Sequence, residues 1–240
     1  MKKIISIALM LCMIFALAAC GNTSTDSNTP TGAVSGESEN TFGTGSATTP
    51  DTTVDTDSET NPSESTDNDN KILIAYFSRA DENYGVGVIE KGNTEIIAEM
   101  IADQIGGELF HIERDTPYPA EYRACTDEAK KEQNDNARPA LKEDIDISDY
   151  DVIYLGYPIW WGDLPMPVYT FIESHDWNGK TVIPFCTHEG SGISNTVPTL
   201  ENKCTGATVL EGLTMTGTTA QNNKSEAKES VLHWLEIIME

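Results

Sequence analysis

Two adjacent tryptophans, Trp160 and Trp161, stand in a glycine-bounded loop directly after the apolar run Val152–Leu155. Loops are normally polar because they face water, so two large flat side chains in one loop are unusual. They suggest a site for a flat aromatic ligand, which stacking on an indole would hold. The alternative is that one or both indoles cap the hydrophobic core. The candidate residues of this loop are Pro158, Ile159, Trp160, Trp161 and Gly162.

A second candidate site is the segment Gly92-Asn93-Thr94 at the start of a predicted helix. The first N–H groups of a helix have no partner within the helix, and with Asn and Thr side chains they form a site for an anion. Ser78 and Arg79, which follow the first apolar run, are candidates for the same site. The alternative is that Asn93 and Thr94 only cap the helix.

An insert at residues 80–91 separates Arg79 from Gly92, and it contains Gly85 and Gly87. The insert either folds over a ligand or is a mobile surface loop. Glu95 argues against a bound phosphate unless its carboxylate turns away from the helix start, because two negative charges repel each other.

A third candidate stretch follows the apolar run at residues 181–186, and its residues are Thr187, His188, Glu189, Gly190, Ser191 and Gly192. The two glycines let the backbone approach a ligand closely, which suits hydrogen bonds to the polar edge of a ring. His188 is either a hydrogen-bond or proton donor to such a ring or a structural residue. The spacing fits neither a zinc-protease helix, since no second His follows, nor a nucleophile elbow, since Glu189 replaces its first glycine. No catalytic residue and no metal ligand is predicted.

These three stretches need a scaffold that brings them together, and strand and helix patterns alternate along residues 71–240. Predicted strands cover residues 71–77, 108–112, 152–155, 181–186 and 208–215, and predicted helices cover 94–105, 120–133, 165–174, 193–200 and 225–239. This alternation predicts an α/β doubly wound sheet. In such a sheet the loops after the first, third and fourth strands lie along the carboxyl edge, where ligands bind.

The first 70 residues do not belong to that fold. Residues 1–19 have the basic start and apolar run of a secretory signal peptide, and the Leu-Ala-Ala-Cys sequence that ends at Cys20 resembles a bacterial lipobox. This resemblance implies cleavage before Cys20 and lipid, such as palmitate, on its thiol. Residues 20–70 are acidic, rich in Ser and Thr and poor in apolar residues, which predicts a disordered linker. The protein is therefore predicted to be extracytoplasmic and anchored to the bacterial cell membrane, although an ordinary signal or an uncleaved anchor is the alternative.

Residues 71–240 are strongly acidic. Of the 39 acidic residues in the chain, 10 precede residue 71, which leaves 29 against 13 of the 15 Lys and Arg. Nucleic acid and anionic membrane surfaces are therefore poor partners. Cys125, Cys186 and Cys204 have neither metal-site nor dithiol spacing. Cys186 is predicted to be a small buried residue, and a disulfide between Cys125 and Cys204 stays open.

Taken together, the strand that ends before Ser78, the segment 92–94 and the loops 156–162 and 187–192 resemble the flavodoxin family. The likeness is to its bacterial branch with an interrupted phosphate loop, and it covers essentially all of residues 71–240. It implies a three-layer α/β/α sandwich with a five-stranded parallel sheet in the order 2-1-3-4-5. It also implies non-covalent binding of FMN.

The same resemblance implies a role for each candidate stretch. Ser78, Asn93 and Thr94 would hold the FMN phosphate, with Arg79 beside them. Residues 158–162 would flank the isoalloxazine ring, with Trp160 or Trp161 stacking on it, and residues 187–192 would contact its pyrimidine edge. Two features depart from the family pattern, namely the insert before Gly92 and the carboxylate of Glu189. A carboxylate beside the flavin would lower its reduction potential.

With FMN as its cofactor, the protein needs no catalytic acid or nucleophile of its own. The prediction is a membrane-tethered electron carrier of low potential or an FMN-dependent oxidoreductase of the NAD(P)H or quinone type. Its partner would be an unknown redox protein or a small acceptor. The alternative is a non-catalytic surface lipoprotein that uses the same fold to bind another ligand or partner.

Overall fold

A computed structural model describes residues 71–240 of the chain. The predicted signal peptide at 1–19, the predicted lipid site Cys20 and the predicted linker at 20–70 lie outside the described residues. The strands are β1 (Ile72–Tyr76), β2 (Asp81–Asn83), β3 (Gly87–Ile89), β4 (Glu108–His111), β5 (Val152–Pro158), β6 (Thr181–His188), β7 (Thr208–Val209) and β8 (Leu213–Thr216). The helices are α1 (Asn93–Ile105), α2 (Tyr122–Asp135), α3 (Met166–Glu173), α4 (Thr196–Lys203), α5 (Gly217–Asn222) and α6 (Lys224–Ile238). No helix within residues 71–240 has both the length and the apolar character that crossing a bilayer requires.

The central sheet has the strand order β4-β1-β5-β6, and the short strands β7 and β8 both pair with the outer edge of β6. All of these pairs are parallel. The predicted order is confirmed, since β7 and β8 together take the place of the fifth strand. The N–H of Leu210 still donates to the carbonyl oxygen of Val182 at 2.9 Å, but the pairing stops opposite Pro184, which has no N–H to donate, and resumes at Leu213.

Apolar side chains on the two faces of the sheet form two separate cores. Along β1, Leu73 and Ala75 belong to one core and Ile74 and Tyr76 to the other, as the two-residue period of a strand requires. Residues of α2, α3 and α4 complete the first core, and residues of α1, α5 and α6 complete the second. The two helix layers enclose the sheet, which confirms the predicted three-layer sandwich.

The strands β5 and β6 run beyond their predicted ends at 155 and 186, and α4 begins three residues later than predicted. Two further elements are absent from the sequence prediction. The insert at residues 80–91 is a β-hairpin of β2 and β3, in which Asp81 pairs with Ile89, and its turn contains Gly85 at φ 79°. A short helix, α5, follows β8, and the hydroxyl of Thr216 accepts the N–H of Thr219 at its start. Neither element has a run of residues long enough to show an apolar period, so the pattern of the sequence does not mark them.

Ser78 precedes the hairpin in the chain, and it fixes the start of α1, which follows the hairpin. Its hydroxyl accepts a hydrogen bond from the N–H of Glu95 at 3.0 Å. Gly92 is required at this contact, since a Cβ there would lie 2.1 Å from Ser78 Oγ and 2.7 Å from the carbonyl oxygen of Arg79. The start of α1 is thereby held against the carboxyl end of β1.

The three cysteines of residues 71–240, Cys125, Cys186 and Cys204, are buried free thiols. Burial raises the pKa of Cys125 to about 11 and those of Cys186 and Cys204 to about 12. The thiols therefore act as small apolar core residues, as the sequence predicts for Cys186. The disulfide between Cys125 and Cys204 that the sequence leaves open is not formed.

Candidate functional site

A cleft of about 530 Å³ opens at the carboxyl edge of the sheet. The ends of β5 and β6, the start of α1, one face of α2 and the hairpin surround it. The predicted site residues that line the cleft are Asn93, Pro158, Ile159, Trp160, Trp161, Gly162, Thr187, His188, Glu189 and Ser191. The three candidate stretches therefore meet in one place, because each parallel strand ends at the same edge of the sheet.

The other predicted residues lie beside or beneath this lining, and they are Ser78, Arg79, Gly92, Thr94, Gly190 and Gly192. Thr94 is buried, and its hydroxyl lies 2.8 Å from the hydroxyl of Thr187. This hydrogen bond joins the start of α1 to the end of β6. Two hydroxyl groups and the first N–H groups of α1 thus come together at one end of the cleft, an arrangement suited to an anion.

Arg79 has a role different from the predicted contact with an anion. Its terminal nitrogens donate to the carbonyl oxygens of Glu82, Pro119 and Ala120 at 2.6, 2.7 and 2.6 Å. The carboxylate of Glu82 in turn accepts the N–H of Tyr122 at 2.8 Å. Arg79 therefore joins the hairpin to the segment that precedes α2, through charge-assisted hydrogen bonds that are among the stronger ones in proteins.

The loop after β5 is a tight turn centred on Trp161 and Gly162. The backbones of Trp160 and Asp163 exchange two N–H···O bonds, each of 3.0 Å. Trp161 and Gly162 have φ angles of 52° and 78°, as both central residues of a type I′ turn do. Glycine adopts this left-handed conformation freely, whereas it costs a residue with a Cβ about 1–2 kcal/mol. A tryptophan held in such a conformation beside a cleft indicates a functional position.

The two indoles are held in different ways. Trp160 is half-buried and packs perpendicular to the rings of Phe77 and Tyr118, at centroid distances of 5.3 and 5.0 Å. Trp161 exposes 53% of its surface, and its Nε1–H donates to the carbonyl oxygen of Thr126 at 3.0 Å. Trp160 also packs against the first core. It therefore combines the two roles that the sequence presents as alternatives, since it both supports the core and lines the cleft.

A network of charged side chains joins α2 to Tyr118, the ring against which Trp160 packs. The guanidinium of Arg114 lies 2.7 Å from the Glu128 carboxylate and 3.2 Å from that of Glu132. It also lies over the ring of Tyr118, 4.0 Å from the centroid. The Tyr118 hydroxyl donates to Glu132, and burial together with that carboxylate raises the pKa of Tyr118. Trp160 therefore packs against the Tyr118 ring, whose hydroxyl is bound to Glu132 and whose face is covered by Arg114.

His188 is oriented by the backbone of its own loop. The N–H of Gly190 donates to His188 Nδ1 at 2.9 Å, so the proton of the neutral ring is on Nε2. Burial lowers the pKa of His188, and the nearby carboxylate of Glu189 acts in the opposite direction. The neutral ring thus supplies an Nε2–H donor at the wall of the cleft.

Glu189 turns its carboxylate toward the start of α5. The carboxylate accepts hydrogen bonds from the N–H of Thr218 at 2.6 Å and from its hydroxyl at 3.0 Å. Gly217 makes room for this contact, since a Cβ there would lie 2.9 Å from Glu189 Oε1 and 2.1 Å from Asn93 Nδ2. Two predicted site residues are therefore held in place by α5, which the sequence pattern does not predict.

We call the loops at 158–162 and 187–192 together with the start of α1 the inner wall of the cleft. The outer wall consists of residues that the sequence does not predict as site residues, namely Asn83 and Tyr84 of the hairpin and Tyr122, Arg123, Cys125, Thr126, Asp127 and Ala129 of α2. The spacing of Tyr122, Cys125, Thr126 and Ala129 marks one face of a helix, and this signal is present in the sequence. The direction in which the face points depends on Arg79 and Arg114, so local spacing does not reveal it.

Comparisons with known proteins agree with this architecture. The family model described as flavodoxin matches residues 71–237. Among solved structures, a candidate flavoprotein from Bacteroides eggerthii is 32% identical with a TM-score of 0.57, over 71% of this chain and 98% of that one. One from Bacteroides uniformis is 32% identical with a TM-score of 0.55, over 69% and 97%. A flavoprotein from Lactobacillus acidophilus, solved in complex with FMN, is 23% identical with a TM-score of 0.47, over 65% and 99%. A search of curated proteins finds no similar sequence.

Proposed function

Because this chain belongs to the flavodoxin family, we propose that it binds FMN against the inner wall of the cleft and uses it for electron transfer. One observation carries the proposal. A hydroxyl-rich helix start, two fixed indoles and a glycine loop with an imidazole donor converge on a single cleft. These features correspond to the phosphate, the flat ring system and the polar ring edge of FMN.

The start of α1 fits the phosphate. Its first N–H groups and the helix dipole favour a negative charge, and the hydroxyls of Ser78, Thr94 and Thr187 lie at the same end of the cleft. Glu95 does not oppose this fit. Glu95 is not among the residues that line the cleft, and its backbone N–H is bound to the hydroxyl of Ser78.

We assign the flat ring of the flavin to Trp160. The perpendicular rings of Phe77 and Tyr118 hold this indole, so stacking on it costs little conformational entropy. One face of Trp161 is instead occupied by the ammonium of Lys130, which lies 5.0 Å from the ring centroid. Trp161 would then border the flavin at the rim.

The loop at 187–192 would contact the polar edge of the ring. His188 provides its Nε2–H, and Gly190 and Gly192 have φ angles of 108° and 62°, which let the backbone turn toward a ligand. The carboxylate of Glu189 is bound to Thr218, yet it remains a charge at the cleft wall. It therefore disfavours an anionic reduced flavin.

When bound, FMN supplies the redox chemistry, and the residues of the chain bind, orient and tune it. A stacked indole favours the neutral oxidised ring over an anionic reduced ring. The excess of 29 acidic over 13 basic residues in 71–240 acts in the same direction. The function we propose is therefore that of an electron carrier of low potential or an FMN-dependent oxidoreductase that uses NAD(P)H or a quinone-type partner.

The test is a visible spectrum of the purified full chain before and after addition of FMN. We expect the absorption bands of oxidised flavin and quenching of FMN fluorescence on binding. A colourless protein that leaves FMN fluorescence unchanged would contradict the proposal and favour the alternative, a lipoprotein that binds another ligand in this fold. Repeated reduction of the bound flavin by NAD(P)H alone would separate a reductase from a carrier.

We also propose that Cys20 carries the lipid that tethers the protein outside the cell membrane. The support is the apolar run at residues 4–19, which ends in two small residues directly before Cys20. Replacement Cys20→Ser should move the protein from the membrane fraction to the soluble fraction of the native host. Retention of this variant in the membrane fraction would show that the apolar run itself is the anchor.

A further inference from the structure

Two tyrosines of the outer wall form an exposed aromatic pair at the mouth of the cleft. Tyr84 in the hairpin exposes 64% of its surface and Tyr122 at the start of α2 exposes 37%. Their ring centroids are 6.0 Å apart, and their planes are tilted by 34°. Both residues line the cleft. Tyrosine offers a large flat contact area with few rotatable bonds, so such a pair is well suited to holding a second flat molecule.

The pair is a built feature, because hydrogen bonds hold both of its elements. Arg79 donates to the carbonyl oxygen of Glu82, and the Glu82 carboxylate accepts the N–H of Tyr122. The tip of the hairpin packs against the opposite side, where a Cβ on Gly85 would lie 3.2 Å from Glu189 Cδ. The hairpin therefore reaches from the start of α2 to the loop after β6, across the mouth of the cleft.

The position of the pair suits an electron acceptor better than the flavin itself. The residues that fit FMN belong to the inner wall, and a ring stacked on Trp160 presents only one face to that indole. The acceptor has to approach the remaining open side of the ring, and the outer wall borders this side of the cleft. Burial raises the pKa of Tyr122, so its phenol is neutral at physiological pH, and more than a third of the residue's surface is open to solvent.

We propose that Tyr84 and Tyr122 form a seat on which the electron acceptor stacks, and that this acceptor is a neutral planar aromatic molecule of the quinone class. The proposal rests on the proposed FMN function. On reduction the quinone takes up two electrons and two protons and becomes a hydroquinone. The electrons come from the reduced flavin, which returns to its oxidised form, and the protons come from the flavin and from water. An external donor, dithionite in the test below, reduces the flavin again.

Charge at the cleft favours a neutral acceptor over an anionic one. Glu189, Asp127 and Arg123 line the cleft. Arg123 and Asp127 compensate each other, because the guanidinium lies 3.9 Å from the carboxylate, so the Glu189 carboxylate is the charge left over among the three. The acidic excess of residues 71–240 adds a negative field that repels anions and weakens with salt. A sulfonated quinone should therefore bind more weakly than its neutral parent at low ionic strength.

The test uses the FMN-loaded full chain, reduced with a stoichiometric amount of dithionite, and follows reoxidation of the flavin by stopped flow. Menadione is the neutral probe, 1,4-naphthoquinone-2-sulfonate is the anionic probe, and ferricyanide is an acceptor that does not stack. We expect Tyr84→Ala and Tyr122→Ala each to raise the half-saturating menadione concentration about tenfold, the scale of one lost stacking contact. Tyr84→Phe and Tyr122→Phe should stay within about twofold of the wild type, because the ring is retained.

Val88→Ala is the matched control within the hairpin, since Val88 is 82% exposed and does not line the cleft. It should leave menadione saturation unchanged, and all five variants should retain the wild-type affinity for FMN and the wild-type rate with ferricyanide. Unchanged menadione saturation in both alanine variants would overturn the seat while leaving FMN binding intact. Loss of FMN affinity in those variants would also overturn it, because the pair would then cover the flavin. A wild type that binds no FMN would overturn the proposed function and the seat together.

Discussion

The two walls of the cleft are built in different ways. The inner wall consists of strand ends and a helix start on the central sheet, and several of its polar groups bond to one another beneath the surface, as Thr94 and Thr187 do. The outer wall is a short hairpin and one face of α2, with the rings of Tyr84 and Tyr122 exposed. Its position depends on charged side chains, namely Arg79, which binds three carbonyl oxygens, and Arg114, which binds two carboxylates of α2.

On the proposed function, this difference would separate binding of the cofactor from selection of the acceptor. The polar groups of the inner wall are fixed, because the wall stands on the central sheet. The outer wall can change its exposed rings without disturbing the sheet, because Arg79 binds backbone carbonyls that any side chain leaves in place. We therefore expect variants of the inner wall to alter cofactor affinity and variants of the outer wall to alter which acceptor is used.

The largest effect should come from removing Arg79, the side chain that joins the hairpin to the segment before α2. Arg79→Ala leaves three carbonyl oxygens without their charged donor, so we expect the free energy of unfolding to fall by about 3 kcal/mol in urea titrations. The control is Arg123→Ala, whose guanidinium is exposed and forms one surface ion pair, and which should cost about 0.5 kcal/mol or less. If both variants were equally stable, the outer wall would not depend on Arg79.

The next effect concerns the inner wall at the start of α1. In Gly92→Ala the added Cβ meets Ser78 Oγ and the Arg79 carbonyl oxygen, so we expect a loss of about 2 kcal/mol of stability from overpacking. FMN affinity, measured by fluorescence quenching, should fall at least about tenfold, because the helix start must shift. Adding Ser78→Ala should restore only part of the stability, since the contact with backbone remains. Full recovery in the double variant would place the whole clash at the hydroxyl.

The two indoles test the assignment of the flavin ring within the inner wall. Trp160→Ala should weaken FMN binding by about 2 kcal/mol and Trp161→Ala by about 1 kcal/mol, on the scale measured for stacking of bases on aromatic rings. Trp160→Ala should also lower the free energy of unfolding, because Trp160 packs against Phe77 and Tyr118. Titration of both variants with FMN gives the comparison. A larger loss of affinity in Trp161→Ala would move the flavin to the rim indole.

The smallest effect is the dependence of stability on pH at His188. Burial lowers the pKa of His188 below 6.5, so the unfolded chain binds a proton at a pH where the folded chain does not. As the pH falls below about 6.5, proton binding therefore stabilises the unfolded state more than the folded state, and the free energy of unfolding decreases. His188→Gln keeps an N–H donor but does not titrate in this range. In urea titrations from pH 7 to pH 5, the free energy of unfolding should therefore decline less steeply with falling pH in the variant than in the wild type. Equal pH dependence in the two proteins would mean that His188 does not contribute.

Most of the inner wall could be predicted from the sequence, and the outer wall could not. Trp160 and Trp161 follow β5, and the stretch 187–192 covers the end of β6 and the loop after it; both strands show as apolar runs in the sequence. The contact of Arg79 with the segment before α2 could not be predicted, because its neighbours in sequence suggest an anion site, while Pro119 and Ala120 are 40 and 41 residues away. The left-handed φ of Trp161 and the contact of Glu189 with α5 could not be predicted from the sequence either, since neither produces a periodic pattern.

The sequence by itself determined the alternation of strands and helices, the order of the loops and the chemical character of the inner wall. These properties depend on neighbours a few residues apart, which the two-residue and 3.6-residue periods record. The tertiary structure alone decided which indole packs against the core, where the Glu189 carboxylate points and how the hairpin contacts α2. Those outcomes depend on contacts between residues distant in the chain, such as Arg79 with Pro119, whose geometry no local period encodes.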